Sequence, residues 1–196
     1  MIYIKDNFLD KELLINLESK ILNSKWKTHK VEGNKFNFKI RYQDVDEKFQ
    51  KYIETWLGIM EQADVKIIRS FIRKSNKNFD TNWRIHNDYM IEGQKPDRAL
   101  VFYLSENKSK KQNGTAFWKH KKYGYSFENF NVEDFNNLLI NDSEDISKWE
   151  LQDIIMHKKN RLLSYPCNYF HSKYPNKIKD RKVLVAFYTS KQWNYE

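Results

Sequence analysis

From residue 10 onward, apolar side chains fall at Leu13, Leu14, Leu17 and Ile21, a spacing that gathers them on one face of a helix, with Asp10 placed as its N-cap. A second stripe, Phe49, Ile53, Trp56, Leu57 and Met60, lies between Asp46 and Ala63. Both stripes are expected to pack into a core. Beyond Asp64 the period becomes alternating. VKIIRSFIR (65–73) is rich in branched residues and predicts a strand, and NWRIHND (82–88) predicts another after a polar connection. RALVFYLS (98–105) reads as a buried strand entered after Pro96, and GTAFW (114–118) as a short one. The stretch 119–150 is mostly polar, with one helix expected over 132–140. LQDIIMH, RLLSYP and RKVLVAFYTS supply three further strands. Two helices followed by roughly seven short strands predict a mainly β fold, an antiparallel sandwich or barrel buttressed by N-terminal helices.

Composition narrows this picture. Aromatic residues make up 16% of the 196, against 5 Gly and 3 Pro, so the chain should pack a real core, and its length suits one domain over 1–196. No apolar run approaches the roughly 18 residues that span a bilayer, and the start does not read as a signal peptide. A single cysteine, Cys167, excludes an internal disulfide framework and fits a reducing compartment, so a cytoplasmic location without a membrane partner is expected.

The formal charge is +9 but uneven: residues 128–155 hold eight acids against Lys148, which leaves the remainder strongly basic. Basic surfaces attract nucleic acids and acidic small molecules. No Arg-rich helix or Gly-aromatic RNA motif accompanies the charge, so it is read as background and nucleic acid is not the expected partner.

Candidate chemistry starts at His86 and Asp88. Side chains two apart in a strand share a face, so this pair could reach one point in space, where a divalent metal is the natural guest. Alone, H-x-D is a weak motif. Further on, the strand RLLSYP ends at Pro166, and a turn delivers His171 just past Tyr169 and Phe170. Ten residues later, Arg181 opens a strongly apolar strand whose alternate residues should face the core. A buried guanidinium needs an anionic partner, and RKVLVAFYTS contains no carboxylate. A bound dicarboxylate could provide one.

Taken together and in order, these segments resemble the Fe(II)- and 2-oxoglutarate-dependent oxygenases, most closely their prolyl-4-hydroxylase-like branch. IYIKDNFLDKELLINLESKIL is similar to the family's opening strand and helix, and HND to the H-x-D half of its metal triad. RALVFYLSEN and QNGTAFW resemble the strand, turn and "GG-T-F" strand that follow. NRLLSYPCNYFHS, with Arg181 beyond it, is similar to the distal histidine and the co-substrate arginine.

The resemblance implies a double-stranded β-helix, the cupin-like jelly roll. It implies His86, Asp88 and His171 as iron ligands and catalytic centre, a triad that leaves iron positions open. It implies Arg181 for the far carboxylate of 2-oxoglutarate, with Tyr103 hydrogen-bonding the same group. Fe(II), 2-oxoglutarate and O2 are the implied cofactors, and ascorbate is admitted as an accessory. The implied activity is that of a non-haem iron dioxygenase, hydroxylating an unactivated C–H bond of an amino-acid side chain, free or in a peptide, with release of succinate and CO2. The substrate is expected to be a small molecule or a peptide.

Trp83, Arg84, Tyr89, Arg98 and Trp118 flank the metal motifs and are candidate substrate contacts. Of the other histidines, His29, His120 and His157, only His120 is kept as a further candidate. The acidic stretch 119–150 is the candidate lid, since loops on a rigid scaffold tend to carry specificity.

Three departures stand out. Gly114 is a single glycine where the family has a pair. Val183 replaces a hydroxyl found in some branches. Phe71 and Arg73 lie nearest the place of a hydroxylase tyrosine.

Three other functions deserve comparison. A nucleic-acid demethylase of the same fold would carry a further arginine on the last strand, and VLVAFYTS has none. A catalytically inactive jelly-roll module is disfavoured by the intact His, Asp, His and Arg set. A closed structural metal site would need four protein ligands, where three are evident.

Overall fold

Carboxylate caps start both N-terminal helices: Asp10 accepts the Leu13 amide at 2.8 Å and Asp46 the Phe49 amide at 2.9 Å, each satisfying a donor the helix leaves orphaned. The computed structural model describes residues 1–33, 36–76, 80, 84–107, 112–126, 132–174 and 180–193. In chain order the elements are β1 (Tyr3–Asp6), α1 (Lys11–Asn23), β2 (Lys27–Gly33), β3 (Phe36–Asp44), α2 (Glu47–Glu61) and β4 (Ala63–Asn76). Then come β5 (Arg98–Tyr103), β6 (Gly114–His120), α3 (Val132–Asn141), β7 (Trp149–Met156), β8 (Arg161–Pro166), β9 (His171–Tyr174) and β10 (Asp180–Gln192). No helix among the described residues is long and apolar enough to cross a membrane.

The strands form two antiparallel sheets, one of seven strands in the order β1-β8-β5-β10-β4-β3-β2 and one of three in the order β7-β6-β9. Their facing sides make a jelly roll, and residue parity decides what each side chain meets. On β5 the odd residues Ala99, Val101 and Tyr103 join Phe117 and Ile155 of the small sheet, along with Leu163, Tyr165, Val183 and Phe187. The even residues Leu100 and Phe102 point the other way, into a layer with Leu17 and Ile21 of α1, Ile53 and Leu57 of α2, and Leu184, Ala186 and Tyr188. Because both faces are covered, β5 and β10 read as near-continuous apolar runs rather than as clean alternations. A third cluster, Ile85, Ala116, Trp118, Leu138, Trp149 and Phe170, fills the outer side of the small sheet under α3.

Most expected elements are present, and two expectations need correction. NWRIHND is no ladder strand: its described residues make a single bridge, His86 to His171. The hairpin of β2 and β3 was not expected, because Lys27, Thr28, His29 and Lys30 are exposed on an edge strand and carry no apolar alternation. Pairing, not burial, makes that segment a strand.

Gly114 explains the single glycine of QNG. A Cβ there would lie 1.9 Å from the backbone oxygen of Ile155, so the approach of β6 to β7 admits only glycine. Gly114→Ala is expected to destabilise the protein by roughly 3 kcal/mol or more, since backbone is the obstacle and has little room to yield. Urea denaturation followed by circular dichroism checks this, and an unchanged midpoint would show that the strands can part.

Candidate active site

Three backbone hydrogen bonds bind segment 84–90 to the first residue of β9 and to the turn before it. His86 and His171 donate to each other's carbonyls at 3.0 and 2.8 Å, and the Asp88 amide donates to the Cys167 carbonyl at 2.9 Å. The side chains of His86, Asp88 and His171 are thereby brought together. Nε2 of His171 lies 3.3 Å from Asp88 Oδ2, Nε2 of His86 lies 3.8 Å from Asp88 Oδ1, and one ligand atom from each residue falls within 4.8 Å of the others.

The other ring nitrogens fix the tautomers. Nδ1 of His86 lies 2.9 Å from the Arg84 carbonyl and Nδ1 of His171 3.0 Å from the Tyr169 carbonyl. A carbonyl only accepts, so each Nδ1 carries the proton and each Nε2 keeps a lone pair for a metal. His86 leaves 37% of its side chain open, and the burial of the remainder, with His171 alongside, lowers its pKa to about 4. It is neutral near pH 7, as a ligand must be. Burial opposes ionisation of Asp88, but His171, His86 and Arg73 overcome it and hold the carboxyl below its ordinary range. Two imidazoles and a carboxylate suit a ferrous ion with positions left open. No fourth ligand joins them among the described residues, which argues against a closed structural site.

A cavity of about 150 Å3 opens beside this triad. Arg181 reaches it from β10, buried at 6% exposure, and donates through Nη2 to Thr115 Oγ1 at 3.2 Å. Its Nε has no partner, and no carboxylate among the described residues pairs with it. Burial lowers its pKa, with Tyr103 acting in the opposite direction. Tyr103 stands behind the wall rather than in it. Its hydroxyl shares a 2.8 Å hydrogen bond with Thr115, its ring lies 5.4 Å from the Arg181 guanidinium carbon, and His157 stacks on it at 4.7 Å. Of this hydrogen-bonded pair, Thr115 is the residue that lines the cavity.

A second polar cluster lines the same space. Arg73 grips the fully buried Asp80 with Nε at 2.6 Å and with Nη2, and the Ser75 hydroxyl donates to the same carboxylate. Lys173 donates to the Asp80 backbone carbonyl, and its Nζ lies 3.8 Å from the Asp80 carboxylate. Burial raises the cost of ionising Asp80, but Arg73, Lys173 and Ser75 keep its pKa low. Thr115, Asp80 and Lys173 were not anticipated as cavity residues. The signal was parity: Lys173 follows His171 by two, and Arg73 and Ser75 alternate with Phe71 on β4.

The expected substrate contacts scatter. Arg84 lines the cavity. Tyr89 lies 6.1 Å from Phe135 of α3, with Lys95 over its ring, and is not among the lining residues. Arg98 lies on the helix side, where it pairs with Glu61 at 3.2 Å and donates to Ser164 and Tyr188. Trp118 points to the outer side of the small sheet and donates to Ser172 at 2.9 Å. Both are packing residues because their strand parity turns them from the cavity. Trp83 lies outside the described residues.

His120 is buried, accepts the amides of Lys122 and Tyr123 at Nδ1, and donates to Asp142 at 3.2 Å, so it is structural. The described part of 119–150 is anchored rather than loose. Leu138 and Trp149 pack with Ile85, the Trp149 indole donates to the Asp142 carbonyl at 2.7 Å, and the Ser143 carbonyl accepts the Ile85 amide at 2.9 Å.

No family model matches the sequence, and no curated protein matches it. Solved structures do share its fold. HygX from Streptomyces hygroscopicus, with iron bound, superposes at TM-score 0.61 with 10% identity, covering 98% of this chain and 84% of that one. A prolyl-4-hydroxylase from Pseudomonas putida matches at TM-score 0.53 with 12% identity over 98% of this chain and 93% of its own. The 2-oxoglutarate-dependent epimerase SnoN of nogalamycin biosynthesis matches at TM-score 0.65 with 8% identity over 96% and 78%. The fold is thus the jelly roll found in the non-haem iron, 2-oxoglutarate-dependent oxygenases.

The His157 beneath Tyr103 gives this region a pH signature. It is 3% exposed, and burial lowers its pKa from 6.5 to about 4, while its ring donates to the Ser105 carbonyl at 2.6 Å. Unfolded chains therefore bind the proton first, so its stability contribution is complete above about pH 6.5 and is lost as pH falls toward 4. Comparing denaturation midpoints at pH 7 and pH 4.5, His157→Gln is expected to shrink the difference by roughly 2–3 kcal/mol. Parallel pH profiles for the two proteins would show that His157 plays no such part.

Proposed function

We propose that this chain is an Fe(II)- and 2-oxoglutarate-dependent oxygenase that hydroxylates an unactivated C–H bond in a small molecule or an amino-acid side chain. The observation that carries it is one cavity holding both the triad His86, Asp88 and His171, whose ligand atoms converge within 4.8 Å, and a buried Arg181 short of an anion. His86, Asp88 and His171 would hold the iron, and Arg181 with Thr115 the far carboxylate of 2-oxoglutarate. Bound together, iron, 2-oxoglutarate and O2 supply the oxidising power for hydroxylation, with succinate and CO2 as by-products.

The chain's own part is preparation. Carbonyls of Arg84 and Tyr169 engage Nδ1 of both imidazoles, which leaves Nε2 of each as the metal-binding atom. Tyr103 fixes Thr115 and flanks the Arg181 guanidinium, which orients the diacid anchor. Phe71, Val101, Tyr165, Val183, Val185 and Phe187 give the cavity apolar walls that limit water around a reactive centre. Known proteins of this fold include a prolyl-4-hydroxylase and HygX, the latter solved with nickel, 2-oxoglutarate and hygromycin B, which supports a peptide or small-molecule substrate. An inactive binding module would call for a defect in the donor set, and none is present.

Anaerobic titration with Fe(II) is expected to saturate at one metal per chain, and 2-oxoglutarate should then add a weak visible charge-transfer band. Asp88→Ala should weaken iron binding by roughly a hundredfold or more, since it deletes a ligand rather than a ligand's support. An unaltered spectrum, together with Asp88→Ala binding iron as well as the parent, would defeat the assignment.

A further inference from the structure

At the Arg181 end of the cavity stands a second cation whose visible partners do not account for it. Lys173 lies two residues past His171 on β9, and the register sets it directly opposite Thr115 of β6. Thr115 is the residue that accepts the Arg181 hydrogen bond at 3.2 Å. The Lys173 side chain is only 10% exposed, and it lines the cavity. One of its three donors is used on the Asp80 carbonyl. The Asp80 carboxylate, 3.8 Å away, is already held by two nitrogens of Arg73 and by Ser75.

Charge makes the same point. Arg73, Arg84, Lys173 and Arg181 line the cavity against a single non-ligand carboxylate, Asp80. Excess positive charge buried together is unfavourable until an anion enters. Arg181 alone would match one carboxylate, yet the wall beside Thr115 offers an ammonium as well. The hydroxyl that some relatives place two residues after the arginine is absent here, because Val183 occupies that position.

We propose that Lys173 is a second anchor for the distal carboxylate of 2-oxoglutarate, acting with Arg181 and Thr115. This role rests on the oxygenase function proposed above. It makes Lys173 a specificity residue: the pocket selects 2-oxo acids with a second negative charge and discriminates against monocarboxylates of equal length.

The test compares 2-oxoglutarate with 2-oxopentanoate, which keeps the keto acid and the chain length but lacks the distal carboxylate. Dissociation constants are measured anaerobically on the Fe(II)-loaded protein from the charge-transfer band, for the parent, Lys173→Met, Lys173→Gln and Lys173→Arg. Loss of one charge-assisted hydrogen bond should weaken 2-oxoglutarate by about ten- to a hundredfold in the Met and Gln variants. Binding of 2-oxopentanoate should stay unchanged, and Lys173→Arg should recover much of the loss.

Equal weakening of both acids would overturn the proposal and leave Lys173 as a tie holding Asp80 in place. So would unchanged binding of 2-oxoglutarate. Two neutral variants of different shape guard against one that fails to fold, and the ratio between the acids cancels any general loosening of the site. If the parent binds neither acid, the oxygenase function itself fails and the role of Lys173 falls with it.

Discussion

The reciprocal pair of backbone hydrogen bonds between His86 and His171 is the contact on which the candidate site depends. These residues are 85 positions apart in sequence, and the first sits in a segment with no ladder of its own. Only the docking of 84–90 onto the turn before β9 puts an imidazole and a carboxylate from one stretch beside an imidazole from the other. Once they are docked, local geometry does the rest: each ring donates to the carbonyl two residues before it, and that repeated bond aims both lone pairs inward.

Around this junction, the two sheets act as a sorting device. Strand parity sends Arg181, Val183 and Phe187 into the cavity side while Leu184, Ala186 and Tyr188 support the helices. The same rule places Thr115 and Lys173 opposite one another and turns Trp118 away. A buried arginine on such a strand is tolerable only with compensation. Thr115, the Tyr103 ring and an incoming anion are the means available.

Much of this was legible from residue order. The apolar stripes behind Asp10 and Asp46 specify the two helices, because capping and periodicity act over a few residues and leave a local trace. The strands β5 and β10 come from runs apolar enough to be recognised alone. His86, Asp88, His171 and Arg181 were legible as a set through spacing and resemblance, and the geometry brings all four to one cavity. What could not be read is what depends on partners distant in sequence. The exposed β2 is a strand only because β3 pairs with it, and Asp80 becomes a cavity residue only through Arg73 and Lys173. Arg98 and Trp118 looked like mouth residues by proximity in sequence, and parity sent both elsewhere.

The Ser143 carbonyl that receives the Ile85 amide joins the acidic segment to the residue immediately before a candidate iron ligand. With Leu138, Trp149 and the Asp142–His120 pair behind it, this segment works as a splint. Remodelling residues 138–149 therefore cannot be confined to that segment, because each change there is passed through the Ile85 amide to the backbone that positions His86. Variation that spares the candidate site would have to fall at positions that do not carry that strut.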